Sequence, residues 1–372
     1  MVDFESYLQH APKIRKYGPM GDAIFSKDDD ECRCASCMNN QALKDNQKMS
    51  YDNYNSTKEF MDEIQYLICP PRVLGYHLDS RTWLELESAK MVDIKHIQSK
   101  EAFDKLELAT TQKNLIRELV ESHTSGNGKK PLMEDIMKEK GKGLVILLHG
   151  PPGVGKTLTA ESVAQLAGKP LFSVSPSDIG LNPTEVEQNL EALFELAARW
   201  RAVLLFDEAD VFLESRSSHT SDLTRNALVS VLLRVLEYYS GILILTTNRI
   251  QQFDIAVQSR VNLGIKYKDL STAQKKKIFS NFIDQIHEDN IGDKDDLERW
   301  LDEEDDAKEW FDALNGRQVR NVLFSAASLA LNDGGVLKVT HIKKMAKSTW
   351  QFQDSIKSIV QEARRKAEVG RE

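Results

Sequence analysis

No stretch of this sequence stays apolar for the ~18 residues that a membrane-crossing helix needs; its longest apolar runs have the length of strands. The opening segment, MVDFESYLQHAPKIRKYG, shows no apolar run behind a basic start, so no secretory leader is expected. An excess of positive charge is missing too. Lys and Arg number 49 against 57 Asp and Glu, a formal net charge of -8. No nucleic-acid partner is expected from that balance, because phosphate backbones are held by clustered Lys and Arg. A local basic pore stays compatible with it, since net charge does not describe a channel. Cysteine is scarce: four in all, with Cys32, Cys34 and Cys37 close together and Cys69 alone. The C-x-C-x-x-C spacing lacks a second pair or a well-placed His to complete the four ligands of structural zinc. Reduced thiols in a polar loop are therefore the first reading, with metal binding the alternative. Nothing points to an oxidising compartment, and a soluble, intracellular, cytoplasmic protein is expected.

What is present supports an ordinary buried core: 41% of the 372 residues are hydrophobic. At roughly 100–200 residues per domain, this length suggests two or three domains. Residues 1 to about 60 are polar and irregular in pattern, with an acidic run from Asp28 to Glu31. YLICPPRVLGYHLDSRTWLELE (66–87) predicts two short strands around a turn at Asp79-Ser80. In LATTQKNLIRELVESH an amphipathic helix is expected, with Leu115, Leu119 and Val120 on one side. Helices and short apolar strands then alternate, with strands expected at 144–149, 171–174, 202–206, 242–247 and 263–267. Uninterrupted runs such as LVILLH suit a parallel sheet covered on both faces. NPTEVEQNLEALFELAARW reads as a helix capped by Asn182, with Pro183 at its first position and Glu185 at capping-box spacing. Val186, Leu190, Leu193, Phe194 and Ala197 share one of its faces. After residue 268 the strands stop and three helical segments follow, the first two separated by the charged GDKDDLERWLDEEDDAKEW. The expected organisation is an N-terminal extension (1–98), an α/β domain (99–268), a helical domain (269–350) and a C-terminal helix and tail (351–372).

The strongest local signal is GPPGVGKT: Gly150, Pro151, Pro152, Gly153, Val154, Gly155, Lys156 and Thr157, with Leu158 opening the following helix. It fits G-x-x-x-x-G-K-[ST] between a strand and a helix, the context of a phosphate-binding P-loop. The glycines let successive N–H groups point inward at phosphate oxygens. Lys156 supplies a point charge for β- and γ-phosphates, Thr157 a hydroxyl for Mg²⁺, and the helix N-terminus a partial positive charge. The second signal is AVLLFDEAD, where a buried strand ends in Asp207 and Glu208. At a parallel strand's carboxyl end, Asp207 can hold Mg²⁺ through its water shell, and Glu208 can orient or deprotonate the attacking water. Taken alone, the pair is equally a solvated acidic turn. The third is Asn248, at the end of ILILTTN, able to hold a γ-phosphate or the water; such residues also end strands for turn reasons. Arg260 and Arg317 are candidate partners for transition-state charge, though an isolated arginine is more often a surface ion-pair partner.

The ordered set GPPGVGKT, LLFDEAD, LTTN, a following Ser-Arg and the Gly-Arg of a later helix resembles AAA+ ATPases of the AAA type over roughly residues 100–350. It is similar in particular to fungal AAA ATPases, where a CPPRVLGY-like stretch precedes the core and GLVILLHGPPGVGKTLTAESVA and RNALVSVLLRVLEYYSGILILTTNR are near-signature strings. In that group an uncharacterised domain usually lies upstream, which implies a chain beginning near or after its end. The resemblance implies a five-stranded parallel sheet with a helical lid, ATP and Mg²⁺ as ligands, hexamers with ATP between subunits, and work on a protein client. By position, Gly150–Thr157 is Walker A, Asp207 and Glu208 are Walker B, Asn248 is sensor 1, Arg260 the arginine finger and Arg317 sensor 2. The segment matching the pore loop, SDIGLN, offers Ile179-Gly180 without an aromatic, which argues against hand-over-hand threading. Three functions compete. An ATPase that remodels a protein partner is favoured by intact Glu208, Asn248 and Arg260. A nucleotide-dependent assembly module with little turnover is the runner-up. A P-loop enzyme of another class is disfavoured by the charge balance and by the Asn248-to-Arg317 half of the set.

Overall fold

The computed structural model describes residues 1–10, 39–42, 71–92, 100–124, 142–175, 183–210, 223–252, 254–287, 290–292, 294–303 and 305–369. All four cysteines, the SDIGLN segment and Asn182 lie outside these residues. The chain divides into two compact units, Met1–Ile94 and Lys95–Glu372.

The first unit contains α1 (Phe4–His10) and an antiparallel hairpin, β1 (Arg72–His77) with β2 (Thr82–Glu87). Arg72 stands opposite Glu87 and His77 opposite Thr82, so the turn falls where Asp79-Ser80 predicts it. Its core is aromatic: Trp83 meets Tyr76 edge-on at 4.9 Å and Tyr7 at 5.8 Å. Such pairs add roughly 0.5–1.5 kcal/mol each beyond the area they bury.

In the second unit the apolar runs become β3 (Leu144–His149), β4 (Leu171–Val174), β5 (Val203–Phe206), β6 (Ile242–Thr247) and β7 (Leu263–Lys266). They form one sheet in the order β4-β5-β6-β3-β7, with every pairing parallel. Continuous hydrophobicity has a direct cause here. Ile242 to Leu245 are all fully buried, because both faces of β6 are covered. On one face, α2 (Lys100–Asp104), α3 (Thr110–Thr124) and α4 (Lys156–Ala167) bring Phe103, Ile116, Val120, Ala160 and Val163 against Ile146, Leu205 and Ile244. Strand alternation turns Leu204 and Phe206 the other way. There α5 (Pro183–Arg199) packs on α6 (Leu223–Tyr238), and Phe194 stacks on Phe206 at 5.7 Å. Leu190, Phe194 and Ala197 of α5 are buried.

The α3 face differs from expectation by one residue. Ile116 and Val120 are buried, whereas Leu115 is 48% exposed. The i, i+4 pair lies along the helix axis on one side, while Leu115 sits about 100° away.

The remaining helices are α7 (Ile255–Gln258), α8 (Thr272–Ile283), α9 (Lys294–Glu303), α10 (Asp305–Ala313), α11 (Gly316–Asn332) and α12 (Val339–Val369). The charged stretch between the first two expected helices is itself two helices, α9 and α10. Leu297, Trp300, Leu301, Ala307 and Phe311 project from them into a core shared with Phe279, Val322 and Ile342. Lys294, Asp296, Arg299, Lys308 and Glu309 are exposed on them. Ser271 with Gln274, and Asn315 with Gln318, form capping boxes that start α8 and α11. Lys275 donates to the carbonyls of Phe311 (2.8 Å) and Asp312 (3.0 Å), closing the end of α10. The helix α12 runs unbroken past residue 350.

Candidate functional site

The sheet order places β3 between β6 and β7. The chain leaves β3 toward β4 on one side and later returns to β7 on the other, and this reversal opens a crevice beyond the carboxyl ends of the strands. Glycine is needed where the loop leaves β3. Gly150 has φ +148°, and a Cβ there would stand 2.5 Å from the Tyr267 carbonyl oxygen. Its N–H donates to the Thr247 carbonyl at 3.2 Å. Gly155, at φ 98°, is the N-cap of α4. Thr159 holds the loop from below: its hydroxyl donates to Gly155 O at 3.0 Å and lies 2.7 Å from the Tyr267 hydroxyl. Tyr267 is buried, which pushes its phenol up to about 12. Val154 is buried under the loop, while Pro152 and Leu158 are exposed. The tip touches the helical region: a Cβ on Gly153 would come within 2.7 Å of the Asn315 amide, and one on Gly316 within 2.7 Å of Gly153 O.

Lys156 is only 8% exposed. Its ammonium donates to Gly150 O (2.8 Å), Pro151 O (2.7 Å) and Asn248 Oδ1 (2.8 Å). Burial lowers its pKa from the ordinary lysine value; Asp207, Asp210 and Glu208 oppose that shift and Arg317 adds to it. His149, just before the loop, is likewise shifted down, by burial and then by Lys266 and Lys156. Thr157 donates its hydroxyl to the Asp207 carboxylate, 3.1 Å from Oδ2 and 3.2 Å from Oδ1. Hydroxyl and carboxylate oxygens side by side are hard donors of the kind Mg²⁺ takes beside substrate phosphates and water. The donor set therefore fits that ion. Among the described residues no group of three His, Cys, Asp or Glu is placed to hold a metal by itself.

The Asp207 carboxylate also accepts a 2.5 Å hydrogen bond from the Thr246 hydroxyl. The same hydroxyl accepts the Glu208 N–H at 3.0 Å. Glu208 has φ +54°, in the left-handed region rare for residues with a Cβ. Its side chain is exposed.

The structure therefore brings together Gly150–Thr157, Asp207, Glu208 and Asn248. Arg317 is exposed at the start of α11, and its charge reaches Lys156. Arg260 is not brought to this group: its guanidinium donates to Ala256 O at 2.9 Å and pairs with Glu237 at 3.5 Å. Sequence reasoning missed Thr246, Thr159, Tyr267 and Asn315. Thr246 had a readable position, two residues before Asn248; the others become visible only when β7 and α11 reach the loop.

A parallel sheet with a Gly-rich loop running from a strand into a helix, and acids at the end of a neighbouring strand, defines a P-loop nucleotide-binding domain. Residues 146–268 match the ATPase family associated with various cellular activities, AAA. Residues 146–268 are thus similar to the AAA ATPase domain, whose family is one of ATP-binding hydrolases. It is 30% identical over 144 residues to ATPase family AAA domain-containing protein 3 of Caenorhabditis elegans, covering 38% of this chain and 24% of that protein. To fidgetin-like protein 1 of Drosophila melanogaster it is 33% identical over 149 residues, 38% of this chain and 28% of that one. The outer mitochondrial transmembrane helix translocase of Danio rerio is 29% identical over 197 residues, 50% of this chain and 51% of the translocase. The chain thus matches between about a quarter and a half of the length of these relatives. Among its described residues, no helix is long and apolar enough to cross a membrane.

Proposed function

We propose that this chain hydrolyses ATP to ADP and phosphate with Mg²⁺ at the P-loop, and that it does so within a ring oligomer, a hexamer, that remodels a protein partner. The observation carrying this reading is the convergence of Lys156 on Asn248 and of Thr157 on Asp207, contacts that join the loop to the ends of β6 and β5. In this reading the N–H groups of the loop and the first turn of α4 hold the phosphates, and Lys156 exchanges its carbonyl partners for phosphate oxygens. Thr157 and Asp207 hold the cation, which when bound neutralises charge on the β- and γ-oxygens. Glu208, facing solvent at the strand end, orients the attacking water and takes its proton. Asn248 steadies the γ-phosphoryl oxygens. Arg317 approaches from the helical region, and Arg260, on its own chain tied to α6, serves a neighbour's site.

The client is a protein rather than nucleic acid, in keeping with the net charge of -8. The aromatic-free SDIGLN segment favours remodelling without threading. The resemblance of its strings to those of fungal AAA ATPases favours membership of that group. The alternative, an assembly module with little turnover, is separated by one variant. Glu208→Gln is expected to bind ATP as the parent does and to stop phosphate release. Phosphate release near the parent rate would refute the role of Glu208, and a parent that binds ATP without turnover would favour the assembly module.

A further inference from the structure

We propose that Thr246 is a positioning residue that sets both acids of the site through one hydroxyl; this rests on the ATP-hydrolysing reading above. Thr246 is 1% exposed, near the carboxyl end of β6. A hydroxyl has one proton to give and lone pairs to accept with, and here both capacities are used. The proton goes to Asp207 Oδ1 at 2.5 Å, and a lone pair receives the Glu208 N–H at 3.0 Å. The backbone of Thr246 adds a third tie, its carbonyl accepting the Ala209 N–H at 2.8 Å. Three consecutive residues, Asp207, Glu208 and Ala209, are thus fastened to a single residue of the adjacent strand.

These ties bear on the site in two ways. Asp207 leaves β5 with a carboxylate free to rotate about its side-chain bonds. The bond from Thr246 fixes Oδ1, and with it the orientation in which the carboxylate meets the Thr157 hydroxyl, 3.2 Å from Oδ1 and 3.1 Å from Oδ2. Glu208 stands at φ +54°, a conformation that persists in a residue with a Cβ only when its surroundings impose it. The bond from its N–H to Thr246 is such an imposition, and it decides the direction in which the Glu208 side chain leaves the strand. Asn248, two residues further on, points to the same side and takes Lys156 at 2.8 Å. One strand end thereby orients the acids through Thr246 and the loop cation through Asn248.

The test compares the full chain with Thr246→Val, which keeps the shape and removes the hydroxyl, and Thr246→Ser, which keeps the hydroxyl. Two quantities are read: kcat and KM for ATP, and the gain in affinity for a fluorescent ADP analogue when Mg²⁺ is added to a metal-free titration. Thr246→Val is expected to lose about 10- to 100-fold in kcat, the scale of a misplaced catalytic group. Its metal-free affinity should stay within about twofold, and most of the Mg²⁺-linked gain should vanish. Thr246→Ser is expected to restore both. Parent-like kcat and Mg²⁺ gain in Thr246→Val would overturn the proposal, as would a Thr246→Ser variant as impaired as Thr246→Val, which would mean packing alone. Should Thr246→Val fail to fold by circular dichroism, Thr246→Ala takes its place. If the parent proves not to hydrolyse ATP, the reading above fails on its own, and the Mg²⁺-linked gain still decides the role of Thr246.

Discussion

Replacing Gly150 by Ala separates two costs that usually arrive together. At φ +148° the backbone of Gly150 lies where side-chain-bearing residues are strained, by about 1–3 kcal/mol. The new Cβ would also stand 2.5 Å from Tyr267 O and 2.8 Å from Tyr267 Cβ. Tyr267 has little room to move, since its N–H is held by His149 O at 2.8 Å and its hydroxyl by Thr159 at 2.7 Å. Forcing extra volume into such packing costs a further ~1–3 kcal/mol. Gly150→Ala should therefore lose about 2–6 kcal/mol in total. Gly155→Ala meets nothing within 4 Å but has φ +98°, so it should lose about 1–2 kcal/mol from the backbone alone. Gly264→Ala, in β7 with open space around it, should stay within about 0.5 kcal/mol. Urea unfolding of the full chain, followed by circular dichroism, gives all three values. Equal losses at Gly150 and Gly155 would refute the claim that Tyr267 walls the loop.

Lys156→Ala removes the charge meant for phosphate, and a fluorescence titration should show ATP affinity at least roughly 100-fold weaker; parent-like affinity would sink the P-loop reading. If Arg260 acts on a neighbour's site, mixing Arg260→Ala chains with Lys156→Ala chains should restore part of the lost ATPase rate. No recovery on mixing would leave Arg260 without a role between subunits. Tyr239 and Tyr267 rise from 10.0 to about 12 through burial. The folded chain thus holds these protons more tightly than the unfolded one. The resulting stability is present below pH 10 and lost as pH rises through 12, about 2–3 kcal/mol for each residue. Urea midpoints for the parent should fall over that window by more than those of Tyr267→Phe, and equal falls would contradict the burial of Tyr267.

Much of the fold was legible because burial on both faces leaves a plain mark. Ile242–Leu245 and Leu144–Leu148 can only be apolar runs, and their lengths match strands. The phosphate-binding loop was legible for a local reason too: its glycines, lysine and threonine act within one turn of chain. The helices α9 and α10 were hidden because Asp and Glu crowd their sequence, and the buried Leu297, Trp300, Leu301 and Phe311 are few enough to be lost among them. Leu115 misled because composition does not say which of two adjacent apolar residues, Leu115 or Ile116, faces inward. Contacts across long separations were the hardest to read. Tyr267 against Gly150 and Asn315 against Gly153 exist only once β7 and α11 have folded back on the loop.

That last contact ties two parts of the molecule into one thermodynamic system. With no room for a methyl group between Gly153 and the Asn315-Gly316 turn, the loop and the beginning of α11 cannot shift independently. A ligand that moves the loop therefore does work on the helices behind it. Linkage then acts in both directions with equal strength. Any molecule that grips α8 to α12 more tightly in one posture must change the affinity of the loop for its ligand by the same factor that the ligand changes the grip.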